Sequence, residues 1–435
     1  MNLPGPRPHL LVGNLPEFGR DILGFFTNCA RFGDIVPLRL GQWPAVFINH
    51  PDHFDHVLLE NSRNFIKHTF FFRHVTEIFG AGLLTNEGGP WLRQRRLMQP
   101  AFHRDRVAGY GATMVEYAER MLAEWDAQAA GERDLHGDMM LLTMEIATKT
   151  LFGEDMAEKT AAEISSAFND AVAAIAVRFR RPVKIPGWIP TPSNLRYSSA
   201  VKRLDRLIYG FIEEKKRNGT GNDLLSMLME ARDEDGSAMD EKQIRDEAIT
   251  IFLAGHETTA LSLFWTFHLL AQNHEVEERL AGEIARHDGD LTRCPYLMNV
   301  VSESMRLYPP AYAIGREAVG DFEIGGVPIP AGTTVFMSPW VSHRDPRWFD
   351  DPLSFRPQRW DNDLARRLPR FAYFPFGGGP RVCIGNSFAL MEAALILGSI
   401  VRRYRVTHAG AEPVPYPSIT LRPKHATRMA VEMRE

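Results

Sequence analysis

From Asp246 to Leu270 the chain is apolar nearly all round a helical projection, so this segment belongs inside a core that the rest of the fold encloses. At 435 residues, 44% hydrophobic and 24% charged, the chain is long enough to build one large core. No Gly/Ser linker, low-complexity tract or internal repeat divides it, which predicts a single domain over 1–435. Helical periodicity dominates from about 52 to 290, and β-rich stretches are expected near 34–50, 321–340 and 418–434, the first and last as hairpins. The predicted fold class is mainly α with small β-sheets. The proline-rich opening, Leu3 to Pro8, reads as a stiff extended arm.

Composition removes several classes of function. A net charge of −4 gives no support to nucleic-acid binding. The three cysteines, Cys29, Cys294 and Cys383, contain no C-x-x-C pair, which argues against a disulfide framework, a zinc ribbon or covalent haem attachment. A reducing, cytoplasmic location is expected. No apolar run approaches the length of a membrane span, and the opening residues lack the layout of a signal peptide.

The most specific run is Phe376-Gly-Gly-Gly-Pro-Arg-Val-Cys-Ile-Gly385, followed by a helical pattern from Asn386 to about Tyr404. Glycines let a backbone turn beneath a flat group where side chains would clash. A sulfur at a helix N-terminus meets unpaired N–H groups and the positive end of the macrodipole, and both favour the thiolate. Cys383 therefore reads as a thiolate held against a metal; the competing reading is a buried free cysteine in a structural loop. Arg381 adds positive charge suited to a carboxylate.

Within the apolar helix, Ile251-Phe-Leu-Ala-Gly-His-Glu-Thr-Thr259 sets the small pair Ala254 and Gly255 beside a polar cluster. Gly255 costs about 1 kcal/mol there relative to alanine. Two readings are open. Thr258 bonds back to the carbonyl four residues earlier while Glu257 sits in a salt bridge, or the two relay protons into a dry pocket. Glu303 and Arg306 share a helix face and can pair, with Arg359 a candidate third member of a buried structural network. Trp91 and Arg95, one turn apart, form either a solvated basic face or an anion clamp.

Together, Trp91 with Arg95, Ala254-Gly-His-Glu-Thr-Thr259, Glu303 with Arg306, Pro357-Gln-Arg-Trp360 and the Cys383 run resemble the cytochrome P-450 family of haem-thiolate monooxygenases, across essentially the whole chain. The resemblance implies haem b as cofactor and O2 as co-substrate, with a long central helix over the haem and the Cys loop beneath it. It makes Cys383 the iron ligand and Trp91, Arg95, Arg316 and Arg381 the partners of the haem propionates. Phe376, Ala254 and Gly255 become further haem contacts, and Glu257 and Thr258 an acid–alcohol pair above the iron. A thiolate ligand pushes electron density onto the iron and favours O–O cleavage. Gln358 departs from the Glu the family often carries. The pattern looks closer to the fatty-acid and terpenoid hydroxylase branches than to others.

The expected pocket wall is Phe70, Phe71, Phe72, Ile251, Ala254, Ala311, Ala313, Ile314 and Ile419, whose apolar character favours a fatty acid, terpenoid or steroid-like substrate. Ordinary core packing is the other reading of the phenylalanine triplet. Residues 180–194 read as a lid over an access channel or as a loop folded onto the surface. No flavin or nicotinamide module fits in this length, so electrons are expected from a ferredoxin or flavodoxin with its reductase. A basic patch of Arg93, Arg96, Arg104, Arg106, Arg402 and Arg403 suits such an acidic partner. Two rivals remain: a haem-thiolate peroxygenase or O2-independent rearrangement enzyme, which Glu257 and Thr258 disfavour, and a haem-based sensor, which lacks a signalling module here.

Overall fold

The computed structural model describes residues 3–67, 69, 76–128, 131–155, 158–180, 186 and 188–434. Its longest helix, Glu241–Gln272, is capped by Asp240, whose carboxylate accepts from the Gln243 amide at 2.7 Å. The helix is continuous through Gly255. Helices Leu135–Phe152, Pro192–Asn218, Pro295–Leu307 and Asn386–Arg403 pack around it. Its first half, through Ile249, Phe252 and Leu253, joins a core with Phe168, Leu204 and Ile208. Its second half, through Ala260, Leu263 and Phe267, joins another with Leu142, Val300 and Leu397. The polar stretch 255–259 thus falls between two apolar cores.

Five strands form the main sheet, in the order Ile35–Leu40, Trp43–Ile48, Thr334–Met337, Ile314–Ala318 and Phe65–Ile66. The first two are an antiparallel hairpin turning at Gly41, whose φ of 66° suits glycine. Trp43–Ile48 pairs in parallel with Thr334–Met337, which ties the two ends of the sequence together. Phe322–Ile324 and Val327–Ile329 make a separate small hairpin.

The tail departs from the single hairpin expected over 418–434. Pro415–Pro417 pairs with Leu421–Pro423, while Arg428–Met433 lies between Tyr404–His408 and Gly131–Asp134. Alternation decides which face of a strand is buried; its partner is chosen by distant chain. Phe70, Phe71 and Phe72 lie outside the described residues, as do 181–185 and 187 within 180–194. Within that last segment Trp188 is 83% exposed, and the Asn194 amide donates to the carbonyls of Pro186 and Ile189 at 3.0 and 2.9 Å.

Candidate active site

Between Ile244 and Leu270 every residue of the central helix is buried except Ile251, Ala254, Gly255 and Thr258. That spacing is one stripe of a helix, and the stripe lines a cavity of about 480 Å³. Ala311, Ala313, Ile314 and Ile419 line it too, as do Trp91, Arg95, Arg316, Phe376, Arg381 and Cys383. A second depression of about 510 Å³, bordered by Asp21, Arg31 and Trp340, opens to solvent and holds none of these residues.

The cysteine loop depends on its glycines. Gly379 has φ 64°, and a Cβ there would meet the Leu58 carbonyl oxygen at 1.7 Å. The Cys383 amide donates to the Phe376 carbonyl at 3.0 Å, closing the turn just before helix Asn386–Arg403. The sulfur is packed deep in the protein yet open to the cavity. Burial pushes the Cys383 thiol up, against the Gly385 backbone N–H, Lys67 and Arg95, which pull it down. The N–H at the helix start pulls toward the thiolate as expected, and desolvation outweighs that pull.

Cations crowd the same cavity. Arg95 Nη1 donates to the Val382 carbonyl at 3.0 Å. Arg381 lies 3.9 Å over the Trp91 ring, donates to the Asn86 carbonyl at 2.8 Å and pairs with Glu87. Arg316 donates to its own neighbour, the Gly315 carbonyl, at 2.9 Å, and makes no ion pair among the described residues. Lys67 also lines the cavity, and no motif in the sequence marks it. Burial first, then Arg316 and Arg381, push Lys67 down to about 7. Burial and then Arg381 push Arg316 down to about 10, and burial brings Arg381 to about 10 despite Glu87. The site is short of negative charge, the deficit a ligand with carboxylates would fill.

At the polar cluster, Thr258 Oγ1 donates to the Ala254 carbonyl at 2.8 Å. Glu257 is buried, and its Oε1 is held by Arg422. These are the bonds of a back-bonded threonine and a salt-bridged glutamate, yet both side chains border the cavity. No motif marks Arg422, which in the sequence is one polar residue in an alternating tail.

Away from the cavity, Glu303 accepts from Arg306 at 2.9 Å through both oxygens, from Arg359 at 2.7 Å and from the Trp360 indole at 2.9 Å. Arg306 also donates to the carbonyls of His343, Pro352 and Ser354 at 2.7, 2.6 and 3.1 Å. The basic patch does not stand as a free set. Arg93 and Arg96 pair with Asp233 at 2.8 and 2.6 Å, and Arg403 pairs with Asp126 and Glu119. Arg104, Arg106 and Arg402 are exposed.

A family model described as Cytochrome P450 matches residues 3–428. The chain belongs to the cytochrome P450 family. It is 36% identical over 432 residues to cyclooctatin synthase of Streptomyces melanosporofaciens, covering 97% of this chain and 92% of that protein. It is 34% identical over 412 residues to pentalenene oxygenase of Streptomyces avermitilis, covering 93% and 90%. The solved structure of CYP175A1 from Thermus thermophillus superposes with a TM-score of 0.79 at 27% identity, covering 97% of both chains. As a P450 monooxygenase the chain binds haem b, uses O2 as co-substrate and draws electrons from redox partners to oxidise a hydrophobic molecule. The residues around the cavity fit that cofactor: one thiol open to the cavity, cations in excess of carboxylates, and apolar walls. Among the described residues no helix is long and apolar enough to cross a membrane.

Proposed function

We propose that this P450 hydroxylates a cyclic terpenoid, with Cys383 as the iron ligand. The observation that carries the reading is the stripe Ile251, Ala254, Gly255 and Thr258 sharing one apolar-walled cavity with Cys383. Small residues at Ala254, Gly255, Ala311 and Ala313 leave room for a bulky, rigid, apolar skeleton. Relatives named cyclooctatin synthase, cyclooctat-9-en-7-ol 5-monooxygenase and pentalenene oxygenase favour a terpene over a fatty acid or steroid.

Bound haem supplies the oxygen activation; the protein supplies ligation, protons and placement. The Gly385 N–H and the nearby cations stabilise the Cys383 thiolate. Lys67, Arg95, Arg316 and Arg381, with Trp91, would hold the haem's carboxylates. The Thr258 hydroxyl exchanges its bond to the Ala254 carbonyl for a partner in the cavity and passes protons on. Glu257 brings those protons from outside. The apolar wall excludes bulk water and holds the substrate C–H in position. Electrons come from a ferredoxin or flavodoxin, for which the exposed Arg104, Arg106 and Arg402 are the candidate docking charges. The three free cysteines suit the reducing cytoplasm.

The test is a titration of the haem-loaded protein with cyclic sesquiterpenes, cyclic diterpenes and fatty acids, read as the Soret shift when iron-bound water is displaced. Turnover with reduced ferredoxin and O2 follows. The expected result is tight displacement by a cyclic terpene and a singly hydroxylated product. A fatty acid binding more tightly than every terpene, or product formed with peroxide alone, overturns the reading.

A further inference from the structure

The Glu257 carboxylate is held by a residue that no motif marks. Arg422 projects from strand Leu421–Pro423, and its Nε and Nη2 both approach Glu257 Oε1. Its Nη1 donates to Asn169 Oδ1 on helix Glu158–Arg180 at 3.2 Å, and its guanidinium lies 5.7 Å from the Phe168 ring centre. The strand itself is fixed from behind. The Trp265 indole donates to the Leu421 carbonyl at 2.8 Å, the Leu421 amide donates to the Pro310 carbonyl at 3.0 Å, and the Tyr312 hydroxyl donates to the Ser418 carbonyl at 2.6 Å.

No other cation pairs with Glu257 among the described residues. His136 and His256 face the pair, and burial pushes both toward the neutral form. Glu257 is 2% exposed and lines the cavity. The Arg422 side chain is 20% exposed and is absent from the cavity wall, so its exposed part faces outward. The ion pair therefore spans the wall between solvent and the cavity.

We propose that Arg422 is a positioning residue for oxygen activation, holding the Glu257 side chain turned outward in its ion pair between proton deliveries. This rests on the reading of Glu257 and Thr258 as the proton-delivering pair. The Arg422 Nε–H donates to Glu257 Oε1, and this charge-assisted bond fixes where that oxygen points. A proton taken from solvent on the Arg422 side makes Glu257 neutral and weakens that pairing. The carboxyl then turns to the Thr258 hydroxyl, which accepts this proton as it passes its own into the cavity. The carboxylate returns to Arg422, so one proton crosses per cycle and nothing is oxidised or reduced. Without the arginine, a buried unpaired carboxylate takes up a proton and stays protonated, and the cycle stalls.

The experiment compares Arg422→Gln, Arg422→Lys, Glu257→Gln and the Arg422→Gln/Glu257→Gln double variant as haem-loaded full chains. Each is first checked for the red-shifted ferrous carbon monoxide band and for substrate affinity. In Arg422→Gln, product per reductant consumed is expected to fall several-fold at unchanged substrate affinity, with an altered solvent deuterium isotope effect. Arg422→Lys restores most of the coupling. The infrared difference spectrum of Arg422→Gln against wild type gains a protonated-carboxyl band that the double variant loses. Wild-type coupling and isotope effect in Arg422→Gln overturn the proposal, as does a carboxyl band that survives in the double variant. Coupling lost in Glu257→Gln but kept in Arg422→Gln overturns the arginine's part alone. Full coupling in Glu257→Gln overturns the proton-delivery reading beneath it.

Discussion

Glu303 accepts from Arg306, Arg359, Trp360 and the Arg356 amide, every donor belonging to the chain and the carboxylate fully buried. Around the cavity, Lys67, Arg316 and Arg381 repel one another with Glu87 as the acid among them. A buried charge needs a partner. The first set finds its partners inside the fold and is architecture that holds segment 343–360 against helix Pro295–Leu307. The second set is left incomplete by the fold and is a binding site. The difference separates structural charge from functional charge without reference to any motif.

Removing Arg306 breaks the comparison at its strongest point. Arg306→Ala leaves Glu303 short of its main partner inside the protein and is expected to destabilise by about 3–5 kcal/mol. Denaturant unfolding of the haem-free protein measures this; near wild-type stability would mean that the closed network is dispensable.

A buried titratable group whose acidic neighbour, Glu412, is outweighed by burial sharpens the same contrast. Burial and the neighbouring His408, 3.1 Å away, push His268 down to about 4 from its ordinary 6.5. The unfolded chain therefore takes up this proton first. Its contribution to stability is full above pH 6.5 and is lost as pH falls toward 4, by at most about 3 kcal/mol. His268→Gln should flatten thermal stability over that window, and an unchanged pH slope would show that another group carries it.

The open set should respond in the opposite sense to the closed one. Among the described residues Arg316 has no ion pair to lose, so Arg316→Gln leaves the haem-free protein at least as stable while weakening haem binding about tenfold, or about 1.4 kcal/mol. Haem transfer to an acceptor protein measures the affinity. Loss of haem-free stability in this variant would place Arg316 with the architecture instead.

How much was legible follows from how local each signal is. The stripe Ile251, Ala254, Gly255 and Thr258 is visible because helical spacing alone puts those positions on one face. Glu303 and Arg306 are visible for the same reason. Gly379 is visible because a tight loop needs a positive φ. Lys67 and Arg422 were not visible, since each matters through side chains far away in sequence; Arg422 and Glu257 stand 165 positions apart. The acidic partners of Arg93, Arg96 and Arg403 are hidden from the sequence on the same ground, since Asp233 and Asp126 are brought to them by the fold.

By itself, then, the sequence determined the mainly helical class, the P450 family and the positions of the cysteine loop and the central stripe. Those signals are periodicity and backbone conformation, which act over a few residues. Only the tertiary structure decided which charges are satisfied, which strand partners the tail takes, and that Glu257 answers to Arg422. Electrostatic and sheet pairing depend on distance through space and on burial, and neither follows distance along the chain.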